Sequence, residues 1–239
     1  MDHYHETSSD RAIPMARSMC WHCQSEVKGE YLCGQCVKVQ PLSKDLDYFT
    51  CLGLPRVLHI DGKNLEETFY ELSRTFHPDF YSNKDDNEQA ISLGNSALLN
   101  TAYRTLKDPI QRAEYLVRLE AGAVKEIRAN PPADLFEEIL ELQEDLEEFR
   151  SLSPEENSDL SNSLRLKLQS DRETLEDRQK QLETALFDKF TAWDVLQMQA
   201  PDSTAMRAEK DAVLGKMQEI LSNRTYVQNI LNDLVETIE

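Results

Sequence analysis

Three observations predict an all-α protein. Apolar residues recur three and four apart through most of the chain, glycine and proline number only 7 and 9 in 239 residues, and no alternating strand pattern appears. The expected architecture is a helical hairpin in the middle and an antiparallel three-helix bundle at the end. A small tetracysteine zinc knuckle precedes both. Residues 1–19 read as a disordered leader, 20–40 as the metal-binding module, 46–120 as the hairpin unit, 121–132 as a linker and 133–239 as the bundle.

Met1 to Met19 carries Asp2, Glu6 and Asp10, with neither an apolar core nor an arginine-rich stripe. It matches no secretory or transit signal, so the expected compartment is cytoplasmic, an organelle matrix being the alternative if an import signal takes another form. Four cysteines follow as Cys20-x-x-Cys23 and Cys33-x-x-Cys36. Two such pairs close together suit a tetrahedral thiolate cage, each tight turn presenting two sulfurs. Gly29 and Gly34 are expected to supply the turns. A structural Zn²⁺ is the first expectation, with iron or a redox dithiol as alternatives. Four protein ligands leave no open position for catalysis at the metal. The fifth cysteine, Cys51, sits between Thr50 and Leu52 near Phe49 and reads as a small core residue.

In the hairpin unit, Leu65, Phe69, Leu72 and Phe76 line one face of a helix that Pro78 must end. The polar run Ser82 to Asn87 makes the loop. A second helix is expected from about Glu88 to Lys107, with Ile91, Leu98, Ala102 and Leu106 inward. Asp108-Pro109 restarts the chain as a further helix through Leu116 and Leu119, proline being suited to a first turn.

Beyond Pro131-Pro132, the first bundle helix carries Leu135, Ile139, Leu142, Leu146 and Phe149. Ser153-Pro154-Glu155-Glu156 reads as a capping box opening a helix through Leu160, Leu164, Leu168, Leu175, Leu182, Leu186, Phe190 and Trp193. The third helix repeats the seam with Val213, Met217, Ile220, Val227, Leu231, Leu234 and Ile238. Phe136 and Leu140 add an apolar strip beside the first seam, flanked by Glu137, Glu141, Glu144 and Glu148, while Tyr226 and Ile230 flank the third. These extra residues suit either a wider core or a groove for a basic partner.

Charge narrows the function. Asp and Glu total 44 against 26 Lys and Arg, a net charge of −18, which disfavours nucleic acid and anionic membrane as partners. No apolar run is long enough to span a bilayer. There is no glycine-rich phosphate loop, no Gly-x-Ser-x-Gly and no second prominent histidine beside His77, so no enzyme is expected.

The tripeptide His77-Pro78-Asp79 stands where the first hairpin helix stops, and Asn100-x-Ala102-Tyr103-x-x-Leu106-x-x-Pro109-x-x-Arg112-Ala113 follows it. This arrangement resembles the J-domain of DnaJ-type co-chaperones. Asp47-Tyr48-Phe49, Leu52-Gly53-Leu54-Pro55 and Arg112-Ala113-Glu114-Tyr115-Leu116, together with the acidic bundle, make it more similar to the HscB-type J-proteins of iron–sulfur cluster assembly. The resemblance implies that His77, Pro78 and Asp79 contact an HscA- or DnaK-type chaperone and favour its ATP hydrolysis, the catalytic residues being the partner's. J-domains usually present a basic second helix. Here Glu66, Glu67 and Glu71 oppose Lys63 and Arg74, so electrostatic docking is expected to be weaker, or shifted to Arg74, Lys84, Arg104, Lys107 and Arg112. The resemblance also implies that the bundle face of Leu135, Phe136, Leu140, Glu141, Glu144 and Tyr226 binds an IscU-type cluster scaffold. A zinc-containing structural adaptor that self-associates through the bundle, or a general J-protein with another cargo, is the alternative.

Overall fold

The computed structural model describes residues 19–27, 31–121, 130–132, 135–152, 158–199 and 204–238. Most of the expected leader and linker, Gly29 and the segment Ser153 to Glu156 lie outside the described residues. The chain divides into two compact units, Met1–Tyr115 and Leu116–Glu239. The tetracysteine module therefore shares a unit with the helical hairpin rather than standing apart from it.

Among the described residues the structure is helical, with no strand beyond two isolated bridges, Met19 with Glu26 and Leu32 with Val39. Helix α1 spans Tyr48–Cys51, α2 Gly62–Phe76, α3 Asp86–Lys107 and α4 Pro109–Glu120. A 3-10 turn over Pro78–Tyr81 joins α2 to α3. Each start has a local cause. Asp47, Asp61 and Asp85 cap α1, α2 and α3 by accepting from Thr50 N, Lys63 N and Glu88 N, each at 3.0 Å. Because Asp85 is the cap, α3 opens at Asp86, two residues before the expected Glu88. Asp108 accepts from the amides of Ile110 and Gln111 at 2.8 Å and starts α4 with Pro109 in its first turn. After α1 the chain turns through Gly53 at φ 63°. Gly53 N donates to Thr50 O and Leu54 N to Phe49 O, a Schellman end in which glycine avoids the left-handed penalty.

In this first unit α3 packs against α1 and α2. Phe49, Cys51, Leu52, Leu58, Leu65, Phe76, Leu99, Ala102 and Leu106 are all at most 1% exposed. The inward stripe of α3 is Ser92, Asn95, Leu99, Ala102 and Leu106, whereas the expected Ile91 and Leu98 are only half-buried. Two polar residues lie on that stripe, which is why apolar spacing alone misplaced its first half. Phe69 stacks on Tyr103 with ring centroids 4.1 Å apart, and Tyr48 on Tyr115 at 4.2 Å. The Tyr48 amide also donates to the Tyr115 hydroxyl at 3.0 Å, joining the domain entry to α4.

The second unit holds α5, Phe136–Ser151, α6, Ser158–Met198, and α7, Thr204–Ile238. All three pack on one another. Their shared core is Ile139, Leu142 and Leu146 of α5, Leu168, Leu175 and Leu182 of α6, and Val227, Ile230, Leu231, Leu234 and Ile238 of α7. The spacing of these residues predicts the seam closely, but Ile230 belongs to the core and not to a partner groove. Leu168 is fully buried, and truncation to alanine should cost about 2–5 kcal/mol in urea unfolding. Leu166, on the same helix and 67% exposed, should lose less than about 0.5 kcal/mol on the same change. Equal losses would contradict the assigned face of α6.

Candidate functional site

The two Cys-x-x-Cys segments fold alike. Cys20 N donates to Ser25 O at 2.8 Å and Cys33 N to Lys38 O at 2.9 Å, while Gln24 N and Val37 N return to Cys20 O and Cys33 O. The residue after each second cysteine takes the left-handed conformation, Gln24 at φ 62° and Val37 at φ 60°. That overturns the expectation for Gly34, which does not have a positive φ. The strain falls on a β-branched valine, and the paired turn hydrogen bonds hold it there.

These turns bring the Sγ atoms of Cys20, Cys23, Cys33 and Cys36 within 4.8 Å of one another. Cys20 and Cys36 lie 3.6 Å apart and Cys23 and Cys33 3.7 Å apart. A disulfide would need about 2.0 Å. The edge of a tetrahedron with metal–sulfur bonds of about 2.3 Å is about 3.8 Å, so the spacing fits a four-coordinate ion. The thiols favour such an ion electrostatically. The Ser25 hydroxyl and the Cys36 amide draw the Cys33 thiol down to about 6, whereas burial and the adjoining sulfurs push Cys36 up to about 12. Cys20 is also held below its ordinary value, so thiolate forms readily at Cys20 and Cys33, while negative charge at Cys36 is resisted until a cation neutralises it. His22, inside the first knuckle, meets the cage through its amide, which donates to Cys20 Sγ at 3.4 Å. Cys51 is buried and its thiol is pushed up to about 12 by burial and by Asp47, in keeping with a core role.

The second feature is the end of α2. Pro78 prevents helix continuation and holds His77 extended at φ −61°, ψ 126°. The carbonyl of Phe76 accepts from the hydroxyls of Ser92 and Ser96, both at 2.7 Å. Tyr81 donates to Thr75 O at 2.8 Å, Phe80 N to His77 O at 3.0 Å, and Ser82 to Asp79 O at 2.9 Å. The backbone of the turn is thereby satisfied from inside, while the side chains of His77, Asp79 and Phe80 face water. His77 and Asp79 are 49% and 87% exposed. The Asp79 amide donates to His77 Nδ1 at 3.3 Å, so Nδ1 is the acceptor and Nε2 the donor of the neutral ring. Phe80, 65% exposed, lies edge-on to the His77 ring.

Arg74, Lys84, Arg104 and Lys107 are exposed, as a docking role requires. Arg112 is a correction: it is 8% exposed, and its Nη1 donates to Leu106 O at 2.7 Å. Its guanidinium supports the α3–α4 junction from within and is not presented to a partner.

On the second unit, Phe136 and Leu140 are 58% and 50% exposed, and Glu137, Glu144 and Glu148 lie beside them on the open face of α5. Leu135 and Tyr226 are half-buried against the bundle core. Glu141 is not a bare carboxylate. Lys167 of α6 reaches both Glu141 and Asp145 at 2.7 Å and holds the Glu141 carboxyl below its ordinary value. Sequence periodicity missed Lys167 because a cross-helix ion pair leaves no repeat in the chain.

No family model matches the chain. Among known proteins it is 31% identical over 137 residues to the iron-sulfur cluster co-chaperone protein HscB of Mus musculus, a match covering 55% of this chain and 58% of that protein. It is 34% identical to co-chaperone protein HscB of Proteus mirabilis over 113 residues, 47% of this chain and 65% of the relative. The chain therefore spans less than two thirds of the length of these relatives. A co-chaperone protein HscB homolog of Aliivibrio salmonicida is 30% identical over 176 residues, which cover 71% of this chain and 100% of that protein. Among solved structures, human co-chaperone protein HscB superposes with TM-score 0.62 at 23% identity, covering 91% of this chain and 97% of its own. The fold is thus that of HscB, and the full-length match at 30% identity settles the lineage: the chain belongs to the HscB co-chaperone family.

Proposed function

We propose that the chain acts as a co-chaperone in iron–sulfur cluster biogenesis, coupling an HscA- or DnaK-type chaperone to an IscU-type scaffold. The observation that carries this reading is the His77-Pro78-Asp79 turn, whose backbone is fastened from inside while its side chains remain exposed. An ordered turn loses little conformational entropy on docking. Its exposed groups, an Nε2–H donor on His77 and the Asp79 carboxylate, suit contact with a partner rather than chemistry of their own. The ATPase centre belongs to that partner. With α2 acidic, the docking surface combines the turn with Phe80 and the exposed Arg74, Lys84 and Arg104.

The scaffold is held on α5, Phe136 and Leu140 supplying apolar anchors and Glu137, Glu144 and Glu148 selecting a basic surface. The four cysteines hold one structural Zn²⁺, which would tie the two knuckles together. A reducing compartment such as the cytoplasm keeps those thiols available. No described helix is long and apolar enough to cross a membrane.

Single-turnover ATP hydrolysis by the chaperone tests the first part. His77→Gln should abolish stimulation while leaving the circular dichroism and unfolding midpoint unchanged. In the same assay the scaffold should raise stimulation further, and Phe136→Ala with Leu140→Ala should weaken scaffold affinity by roughly tenfold or more. Stimulation by His77→Gln equal to wild type would refute the J-type contact and favour the adaptor reading.

For the metal, the purified chain should carry one zinc per molecule, and cobalt substitution should give the spectrum of a tetrahedral tetrathiolate. Cys33→Ser should lose that spectrum. Two disulfides in place of the ion would overturn the assignment.

A further inference from the structure

The tetracysteine module lies against both flanks of the exposed turn. On the side before the tripeptide, the Tyr31 ring meets the Phe76 ring edge-on, with centroids 5.2 Å apart and planes at 87°. Phe76 is 1% exposed and immediately precedes His77. On the side after it, Lys38 Nζ reaches Asp85 at 2.8 Å and Glu88 at 2.5 Å. Asp85 is the cap of α3 and Glu88 is in its first turn, so this ammonium gathers the acidic end of the helix that receives the loop.

Lys38 is also part of the cage. Its carbonyl accepts from Cys33 N at 2.9 Å and from Gln40 Nε2 at 2.8 Å. Gln40, 2% exposed, directs the same nitrogen at Cys20 Sγ, 3.4 Å away. Its own carbonyl accepts from Asn95 Nδ2 at 2.9 Å, and Asn95 Oδ1 accepts from Leu42 N at 2.9 Å. A continuous set of hydrogen bonds therefore runs from the cage sulfurs to the middle of α3. Lys38 reaches the start of that helix.

The electrostatics make Lys38 the sensitive link. Glu88 is only 4% exposed, and Tyr81 beside it is pushed up by burial and by the Glu88 charge. The Lys38 ammonium is the cation that meets both carboxylates, Asp85 at the helix cap and the nearly buried Glu88. Removing the ammonium would leave a nearly buried carboxylate without this partner, next to the residue that fastens the turn to Thr75 O. The first turn of α3 would then open to hydrate Glu88, loosening the segment between His77 and Asn87.

We infer that Lys38 and Tyr31 are positioning residues for the His77-Pro78-Asp79 turn, and that the cysteine module braces this turn from both sides. The inference rests on the proposed co-chaperone reading only for its effect on ATPase stimulation, because the bracing itself is a property of this chain.

The test uses the full chain in four forms, wild type, Lys38→Met, Lys38→Arg and wild type stripped of metal by a chelator, with metal content measured for each. Amide hydrogen exchange should quicken by about tenfold or more across residues 79–89 in Lys38→Met, with residues 99–107 of α3 changing much less. Lys38→Arg should restore protection, and the stripped chain should behave like Lys38→Met. With the chaperone present, Lys38→Met should need roughly tenfold more protein for half-maximal stimulation while keeping the same maximum, since only the competent fraction falls. Unchanged exchange over 79–89, or an increase spread evenly over the first unit, would overturn the bracing. A wild-type chain that stimulates no chaperone would instead refute the co-chaperone reading, and the exchange pattern would still decide whether the brace exists.

Discussion

A helix that must stop at Pro78 leaves carbonyls without their intrahelical donors, and the carbonyl of Phe76 is the one nearest the exposed turn. Two hydroxyls of α3, those of the buried Ser92 and the half-buried Ser96, both donate to it. This single acceptor ties the end of α2 to the first half of α3, so the loop between them can be short, polar and exposed without fraying the helices. Tyr81 repeats the device one residue earlier by donating to Thr75 O. The side chains of His77 and Asp79 stay exposed while the backbone around them is already satisfied.

The two units use charge differently. In the first, cations work from within: Lys38 gathers the acidic start of α3, and Arg112 supports the carbonyl of Leu106. In the second, acids dominate the surface, and Lys167 neutralises only Glu141 and Asp145 on the α5 face. The rest of that carboxylate row faces water beside Phe136 and Leu140. An apolar strip within a negative field is suited to a partner that is apolar at its centre and basic at its rim.

Much of this was legible in the chain because its causes are local. Pro78 and Asp108-Pro109 set helix ends within a few residues, three-four spacing located the bundle core, and Cys-x-x-Cys spacing marked the cage. The residues that carry the family resemblance have structural causes: Gly53 ends α1 in a left-handed turn, and Tyr48 stacks on Tyr115. What was not legible is non-local. Lys38 lies 47 residues from Asp85, and no periodicity announces that pair. Arg112 has the composition of a surface cation, and only packing shows that it is buried. Ile230 flanks the apolar seam of α7 in the sequence, and only packing shows that the core is wide enough to include it. The left-handed sites at Gln24 and Val37 defied residue preference because the knuckle's hydrogen bonds outweigh it.

The central claim is that the exposed turn is ordered before any partner arrives. Backbone ¹⁵N relaxation of the metal-loaded chain tests it most directly, read at the amides of His77, Asp79 and Phe80. Internal fastening of the turn predicts order parameters near those of α2 and α3, about 0.85. Values below about 0.6 at these amides, with rigid helices on either side, would contradict it and make the turn a segment that orders only on binding.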